Sequence, residues 1–247
     1  MIAIRSEEEI ALIKKAGRIL AQTLRVLEKH TRPGVETSEL DAIARDEILK
    51  RNGYPAFKGY RGFPGNICVS INETVVHGIP SDRKLRDGDI VSLDVGVRFR
   101  DYYADAATTI GVGKISQAAQ DLMDVTKKAL YIGIANAVSG SRISDISCSV
   151  QQYVESNGFS VVRALVGHGI GRSVHEEPEV PNFGKPGTGP KLETGMVIAI
   201  EPMVNAGTFD VEVLDDGWAI VTKDRRLSAH FEHTVVIREK KAEILTG

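Results

Sequence analysis

The chain repeats itself at an offset of about 106 residues, and a repeat of that length restricts the fold more than any local signal does. Gly34 and Gly140 stand 106 apart, Asn52-Gly53-Tyr54 and Asn157-Gly158-Phe159 stand 105 apart, and GDIVSLD (88–94) and GMVIAIE (195–201) stand 107 apart. The last pair shares glycine, a variable residue, two branched aliphatics, a small residue, Leu or Ile, and an acid. Each copy also follows one order, two amphipathic helices and then strands. The spacing therefore predicts a duplicated α+β unit, with halves at roughly 1–115 and 116–247 making a single domain. Equivalent strand ends would meet about a pseudo-twofold axis, where a site between halves forms.

The helices follow from apolar periodicity. Residues 6–29 place Ile10, Ile13, Ala16, Gly17 and Leu20 on one stripe, behind a Ser6/Glu9 capping box. Further helices are expected at 38–51, 118–138 and 144–156, each closed by a glycine-containing turn. Strands are expected at 67–71, 75–79, 90–97 and 102–110, then at 159–166, 196–204, 211–214, 218–222 and 230–238. GHGIGRSVHEEP (167–178) has glycines around its first histidine, which disfavour a helix. It reads as a loop entering a strand, and whether His168 and His175 share one task stays open at this level.

Four acids lie where apolar strands should continue. Asp94 shares a strand face with Ser92 and Gly96, opposite Val91, Leu93, Val95 and Val97. A hairpin turning near Phe99-Arg100 would set Asp94 directly against Asp105. Glu201 ends MVIAIE, and Glu232 sits in AHFEHTVVI. Carboxylates in such settings repel one another and need neutralising. Two divalent cations would balance four of them, with His168 adding a neutral nitrogen. That donor set suits Mn, Fe, Co or Zn, and paired ions of this kind serve hydrolysis. His175-Glu176-Glu177-Pro178 is not a zincin motif, because Pro178 intervenes and a second histidine is missing. Glu176 and Glu177 are read as surface or supporting groups, His30 as a helix-end dipole partner, and His230 and His233 as supports for Glu232.

Composition removes several classes. Hydrophobic residues make up 42% and charged residues 26%, as in globular proteins, and the net charge of −2 gives no case for nucleic acid or anionic membrane as partner. There is no signal-peptide pattern and no spanning segment, and Cys68 and Cys148 form no paired motif, so a cytoplasmic protein with free thiols is expected.

SINETVVHGIP (70–80), SLDVGV (92–97), DAATT (105–109), GHGIGRSVHEEP (167–178), AIEPM (199–203) and HFEHTVVI (230–237) together resemble the type I methionine aminopeptidases, over residues 2 to about 245. The resemblance implies the pita-bread fold, an α+β architecture of two pseudo-twofold halves with antiparallel sheet covered by helices. It implies five metal ligands, Asp94, Asp105, His168, Glu201 and Glu232, with Asp105 and Glu232 bridging two ions. Asp94 would hold one ion, His168 and Glu201 the other. It implies attack by hydroxide on the scissile carbonyl, with Glu201 also acting as general base. His77 would meet the scissile nitrogen, and His175 the carbonyl oxygen. The pocket for the methionine side chain would comprise Tyr60, Phe63, Cys68, His77, Val174 and Trp218, with Cys68 a lining thiol. Phe63 and Val174 depart from the pattern, a tyrosine and an aromatic being frequent there, which bears on pocket shape. Asn72 and Ser228 correspond to positions that hold a monovalent cation in some relatives.

Related enzymes fit less well. Prolidases and aminopeptidase P resemble a longer chain, whereas about 90 residues precede Asp94 here. Type II methionine aminopeptidases insert a subdomain between the last two ligands, yet Glu201 and Glu232 are only 31 apart. A scaffold turned to binding alone would have lost ligands, and all are intact. The expected partner is a nascent polypeptide with N-terminal Met, favoured when its second residue is small. The enzyme is expected as a monomer. Ribosome association is compatible with that substrate, although no surface for it is visible in the sequence.

Overall fold

The computed structural model describes residues 2–247. Helix α1 (Glu7–His30) begins at Ser6, whose hydroxyl accepts from the Glu9 N–H while the Glu9 side chain accepts from the Ser6 N–H. Helix α2 (Thr37–Lys50) follows, and the pair returns later as α3 (Gln117–Asn136) and α4 (Ile143–Ser156), with α2 and α4 both 14 residues long.

After each helix pair comes an antiparallel sheet of similar design. In the first, the strand Ile90–Phe99 lies between Cys68–Ile71 and Tyr102–Gly111. In the second, Val197–Ile200 lies between Gly167–Gly169 and His233–Val236, with Glu176–Val180 and Glu243–Ile244 outside. Val91, Leu93, Val95 and Val97 are buried against Ile10, Ile13, Leu20 and Leu40 of α1 and α2. Ile198, Ile200 and Val235 pack beside Leu130, Ile134 and Ile146 of α3 and α4. Each sheet thus gives its apolar face to its own helices, and Ser92, Asp94 and Gly96 face away from the helical layer.

Several strands stop short of their expected lengths, for local reasons. The run expected at 196–204 splits into Val197–Ile200 and Met203–Asn205, because Pro202 has no N–H for a ladder. The run expected at 230–238 splits into Ser228–His230 and His233–Val236. Glu201 and Glu232 therefore occupy two strand breaks. Thr74–Val76 ends where His77 takes a left-handed φ of 59°. Only Ser160–Val161 of the 159–166 run pairs, and Ala164 to Val166 peel away to line a cavity.

The hairpin register differs from expectation. Its turn residues are Arg100 and Asp101, both at positive φ (46° and 61°), one position later than the sequence indicated. Asp94 consequently pairs with Ala107, and Asp105 with Gly96. The two acids still share a face, offset diagonally.

Candidate metal centre and substrate pocket

The sheets of the two halves meet edge to edge along Tyr102–Gly111. Thr234 Oγ1 accepts from the Asp105 N–H (2.9 Å) and donates to the Asp105 carbonyl (2.7 Å). Thr109 Oγ1 does the same for His230, at 2.9 and 2.8 Å, and the Glu232 N–H donates to the Ala107 carbonyl (2.9 Å). These clamps carry Asp105, His230 and Glu232 to one place between the halves.

His168 arrives from the second sheet, on a short strand and not on the loop expected. The flanking glycines serve strand packing: a Cβ at Gly167 would lie 2.4 Å from the Ala199 carbonyl oxygen, and one at Gly169 2.1 Å from that of Glu177. His168 Nδ1 lies 2.9 Å from the Gly169 carbonyl, so that nitrogen carries the hydrogen and Nε2 presents its lone pair. Nε2 is 3.4 Å from Glu201 Oε1. A hairpin, not a helix, brings His168 and His175 together, with ring centroids 4.2 Å apart.

Burial and mutual repulsion dominate the electrostatics. Burial lifts Asp94 to about 7, and burial followed by neighbouring carboxylate charge lifts Asp105, Glu201 and Glu232 well above the usual range. Asp94 Oδ1, Asp105 Oδ1 and Glu232 Oε1 are buried with no hydrogen-bond partner. Asp105, His168 and Glu232 each present a ligand atom within 4.8 Å of the others. Buried oxygens left unpaired in this way are costly, and a divalent cation satisfies them where a side-chain donor does not. The donor set therefore fits divalent metal.

Burial also holds the histidines neutral, His168 at about 4, His175 and His230 at about 3, with His77 lowered as well. His175 Nδ1 lies 2.9 Å from the Tyr60 hydroxyl, and the two rings stack at 5.3 Å. The loop before His175 is fixed by Glu176, which accepts from the N–H groups of Arg172 (2.7 Å) and Ser173 (3.0 Å) and pairs with Arg5. Glu176 is thus a supporting group, and Glu177 is exposed.

A cavity of about 290 Å³ opens over the acids. It is lined by Tyr60, Phe63, Cys68, His77, Asp94, Asp105, His168, His175, Glu201 and Glu232 among the residues expected from the sequence. Val174 and Trp218 do not line it. Val174 is buried behind the wall with Phe63 and Cys68, and Trp218 meets Phe63 edge-on at 5.2 Å. Burial, then the charge of Asp94, pushes the Cys68 thiol well up, so it is a neutral wall and not a nucleophile. Both cysteines are free.

Some lining residues had no sequence assignment: Phe57, Arg61, Val76, Leu165 and Met203. Phe57, two residues before Gly59-Tyr60, was the most visible signal among them. Other expectations need correction. His233 does not bond Glu232; it turns to Thr246 Oγ1 (2.9 Å) and towards Tyr131. His230 lies against Glu232, Nε2 3.9 Å from Oε2, without a hydrogen bond, and lines the cavity. The Asn72 side chain is taken up by Asp89 and the Ile90 N–H, its carbonyl accepts from the Ser228 N–H, and the Ser228 hydroxyl is bonded to Asn205 Oδ1 and the Val204 carbonyl. His30 closes α1 with Nδ1 at 2.8 Å from the Val26 carbonyl. Among the described residues, no helix is long and apolar enough to cross a membrane.

Known proteins agree with this architecture. The model of metallopeptidase family M24 matches residues 11–239. A methionine aminopeptidase of Clostridium perfringens is 55% identical over 246 residues, covering 100% of this chain and 99% of the relative. The solved methionine aminopeptidase of Rickettsia prowazekii superposes with a TM-score of 0.99 at 40% identity, covering 100% of both chains. That of Thermotoga maritima gives 0.98 at 46% identity, covering 100% of this chain and 99% of the other. The chain belongs to metallopeptidase family M24 and, within it, to the methionine aminopeptidases.

Proposed function

We propose that this chain removes the initiator methionine from nascent proteins and peptides, favouring a small second residue, and that Asp94, Asp105, His168, Glu201 and Glu232 hold two divalent cations for the purpose. The carrying observation is the group of buried carboxylates with unpaired oxygens beside His168, on the floor of a cavity with apolar walls. Asp105 and Glu232 would be shared between the cations, Asp94 would serve one, and His168 with Glu201 the other. Held by these residues, divalent cations would supply acidification of a water and polarisation of the scissile carbonyl.

The chain's own groups do the rest. Glu201, lifted above the usual carboxylate range by burial and by the Asp105 and Asp94 charges, accepts the proton of the attacking water and passes it on. His175, its Nδ1 facing the Tyr60 hydroxyl, directs an Nε2–H at the carbonyl oxygen, where charge develops. His77 meets the nitrogen of the scissile amide. Tyr60, Phe63 and Cys68 line the methionine pocket, with Val174 and Trp218 packed behind them; soft, aromatic surroundings suit a thioether. The stacked rings of Tyr60 and His175 form a wall that favours small second residues.

The natural cation is drawn from Co, Mn, Fe and Zn. A monovalent cation at the Asn72–Ser228 junction would have to use main-chain carbonyls, since the side-chain oxygens are engaged. The reading puts the enzyme in the cytoplasm as a monomer, near the ribosome that supplies its substrate, with residues 1–115 and 116–247 as the halves of one catalytic domain.

A peptide panel tests it. Met-Ala-Ser and X-Pro dipeptides are offered to chelator-treated protein, then with Mn, Fe, Co or Zn restored. Metal-dependent release of Met is expected. Preferential X-Pro cleavage overturns the substrate, and full activity after exhaustive chelation overturns the metal requirement.

A further inference from the structure

Both oxygens of Glu201 face imidazoles. His168 Nε2 lies 3.4 Å from Oε1. His230 Nε2 lies 3.8 Å from Oε2 and 3.9 Å from Glu232 Oε2. The two rings are held differently. His168 has its second nitrogen on the Gly169 carbonyl, whereas both nitrogens of His230 are buried without any partner. Its backbone is nevertheless fixed, the N–H and carbonyl both bonded to Thr109 Oγ1. Nothing in that backbone anchoring explains a histidine here in place of an apolar residue.

The tautomer can be argued from what surrounds the ring. A neutral imidazole has one N–H and one lone pair. With the hydrogen on Nε2, the N–H points at two carboxylate oxygens, and only a lone pair stays unpaired at Nδ1. With the hydrogen on Nδ1, a donor is stranded where no acceptor lies, and a lone pair is turned onto the carboxylates. An orphaned buried donor is the rarer and costlier defect. Coordination of a cation through Nε2 would require that second tautomer, and ligating histidines normally give their other N–H to an acceptor. None is present among the described residues.

We infer that His230 is a positioning residue: its Nε2–H holds the Glu201 carboxylate, alongside Glu232, in the orientation needed to bind the cation and accept the proton. A closure of about 1 Å brings the nearer contact into hydrogen-bond range. The inference rests on the function proposed above, with Glu201 as ligand and base.

His230→Leu keeps bulk and removes the donor; His230→Gln restores an N–H of similar reach. Leu is expected to weaken Co(II) binding to metal-free protein about 10-fold by calorimetry, and to lower kcat on Met-Ala-Ser about as much with KM unchanged. Gln is expected to recover both to within about 3-fold. Nitrogen-15 NMR of the wild-type ring, which needs no variant to fold, is expected to show the hydrogen on Nε2. An Nδ1–H tautomer, Leu behaving as wild type, or Gln as damaging as Leu would each overturn the inference. Failure of the functional reading is separate: wild-type protein would then not release Met, while the Co(II) and NMR arms would still report on His230.

Discussion

Thr234 grips Asp105 with a single hydroxyl, which accepts the backbone N–H at 2.9 Å and donates to the carbonyl at 2.7 Å. All of these groups are buried, so the contact joins the two sheets where water cannot substitute. Thr234→Val keeps the shape and strands both backbone groups. The expected cost is about 2–4 kcal/mol by denaturant unfolding, with weaker Co(II) binding because Asp105 is no longer held. Unchanged stability would show the clamp to be unimportant.

Metal-free protein should lose stability as pH rises. The buried carboxylates have folded pKa values above their unfolded ones, Asp94 at about 7 and Asp105, Glu201 and Glu232 well above the usual carboxylate range through burial and mutual repulsion. Such groups stabilise fully below the unfolded pKa, and that contribution is lost as pH climbs through the folded value. Around and just above pH 7 the unfolded carboxylates are ionised and the unfolded histidines are mostly neutral, so the protons that the folded carboxylates still hold set the slope. His168, His175, His230 and His233, held near 3 to 4 by burial, make stability rise with pH only up to about the unfolded histidine pKa near 6.5, and above it they leave the downward trend unopposed. Stability should fall by about 1.4 kcal/mol per pH unit for each proton at issue. Saturating Mn(II) should abolish the slope and release protons on binding. Melting curves with and without chelator, and calorimetry in two buffers, measure both; a flat metal-free profile would contradict the account.

Much of this site was legible because carboxylates on apolar strands are anomalous, and strand alternation alone puts Asp94 opposite the core-facing Val91, Leu93, Val95 and Val97. The helix starts were legible too, Ser6 and Glu9 being a direct chemical signal. The hairpin register was not, because Arg100 and Asp101 take left-handed conformations without a glycine to announce them. The placement of Val174 and Trp218 behind the wall depends on packing between distant segments, which no local pattern encodes. His230 was visible as a histidine two residues before Glu232, but its unpaired nitrogens belong to the assembled interior.

Gly169 should resist even a methyl group. A Cβ there would sit 2.1 Å from the Glu177 carbonyl oxygen, and that backbone is fixed in the sheet. Gly169→Ala is expected to cost about 3 kcal/mol and to displace His168, lowering metal affinity and turnover together. Gly184→Ala, whose Cβ would make ordinary contacts at 3.6 and 3.8 Å, is the control and should change stability by less than about 0.5 kcal/mol. Equal tolerance at both positions would show that the strand can relax.

Tyr60 should matter to catalysis through His175 and not through the metal. Its hydroxyl lies 2.9 Å from His175 Nδ1, and by donating to that nitrogen it would leave Nε2 to carry the hydrogen that the proposed mechanism aims at the substrate carbonyl. Tyr60→Phe keeps the stacked ring and removes that partner, so the His175 tautomer and orientation are no longer fixed. The expected result is a fall in kcat of about 10-fold, equivalent to about 1.4 kcal/mol of transition-state stabilisation, with KM little changed. His175→Ala, which deletes the donor itself, should cost about 100-fold or more. Co(II) affinity should be nearly the same in both variants, because neither side chain supplies a proposed ligand. Steady-state kinetics on Met-Ala-Ser with parallel calorimetry separates the two effects: full activity in Tyr60→Phe would remove Tyr60 from the account, and loss of Co(II) binding in His175→Ala would move His175 from the substrate side of the site to the metal side.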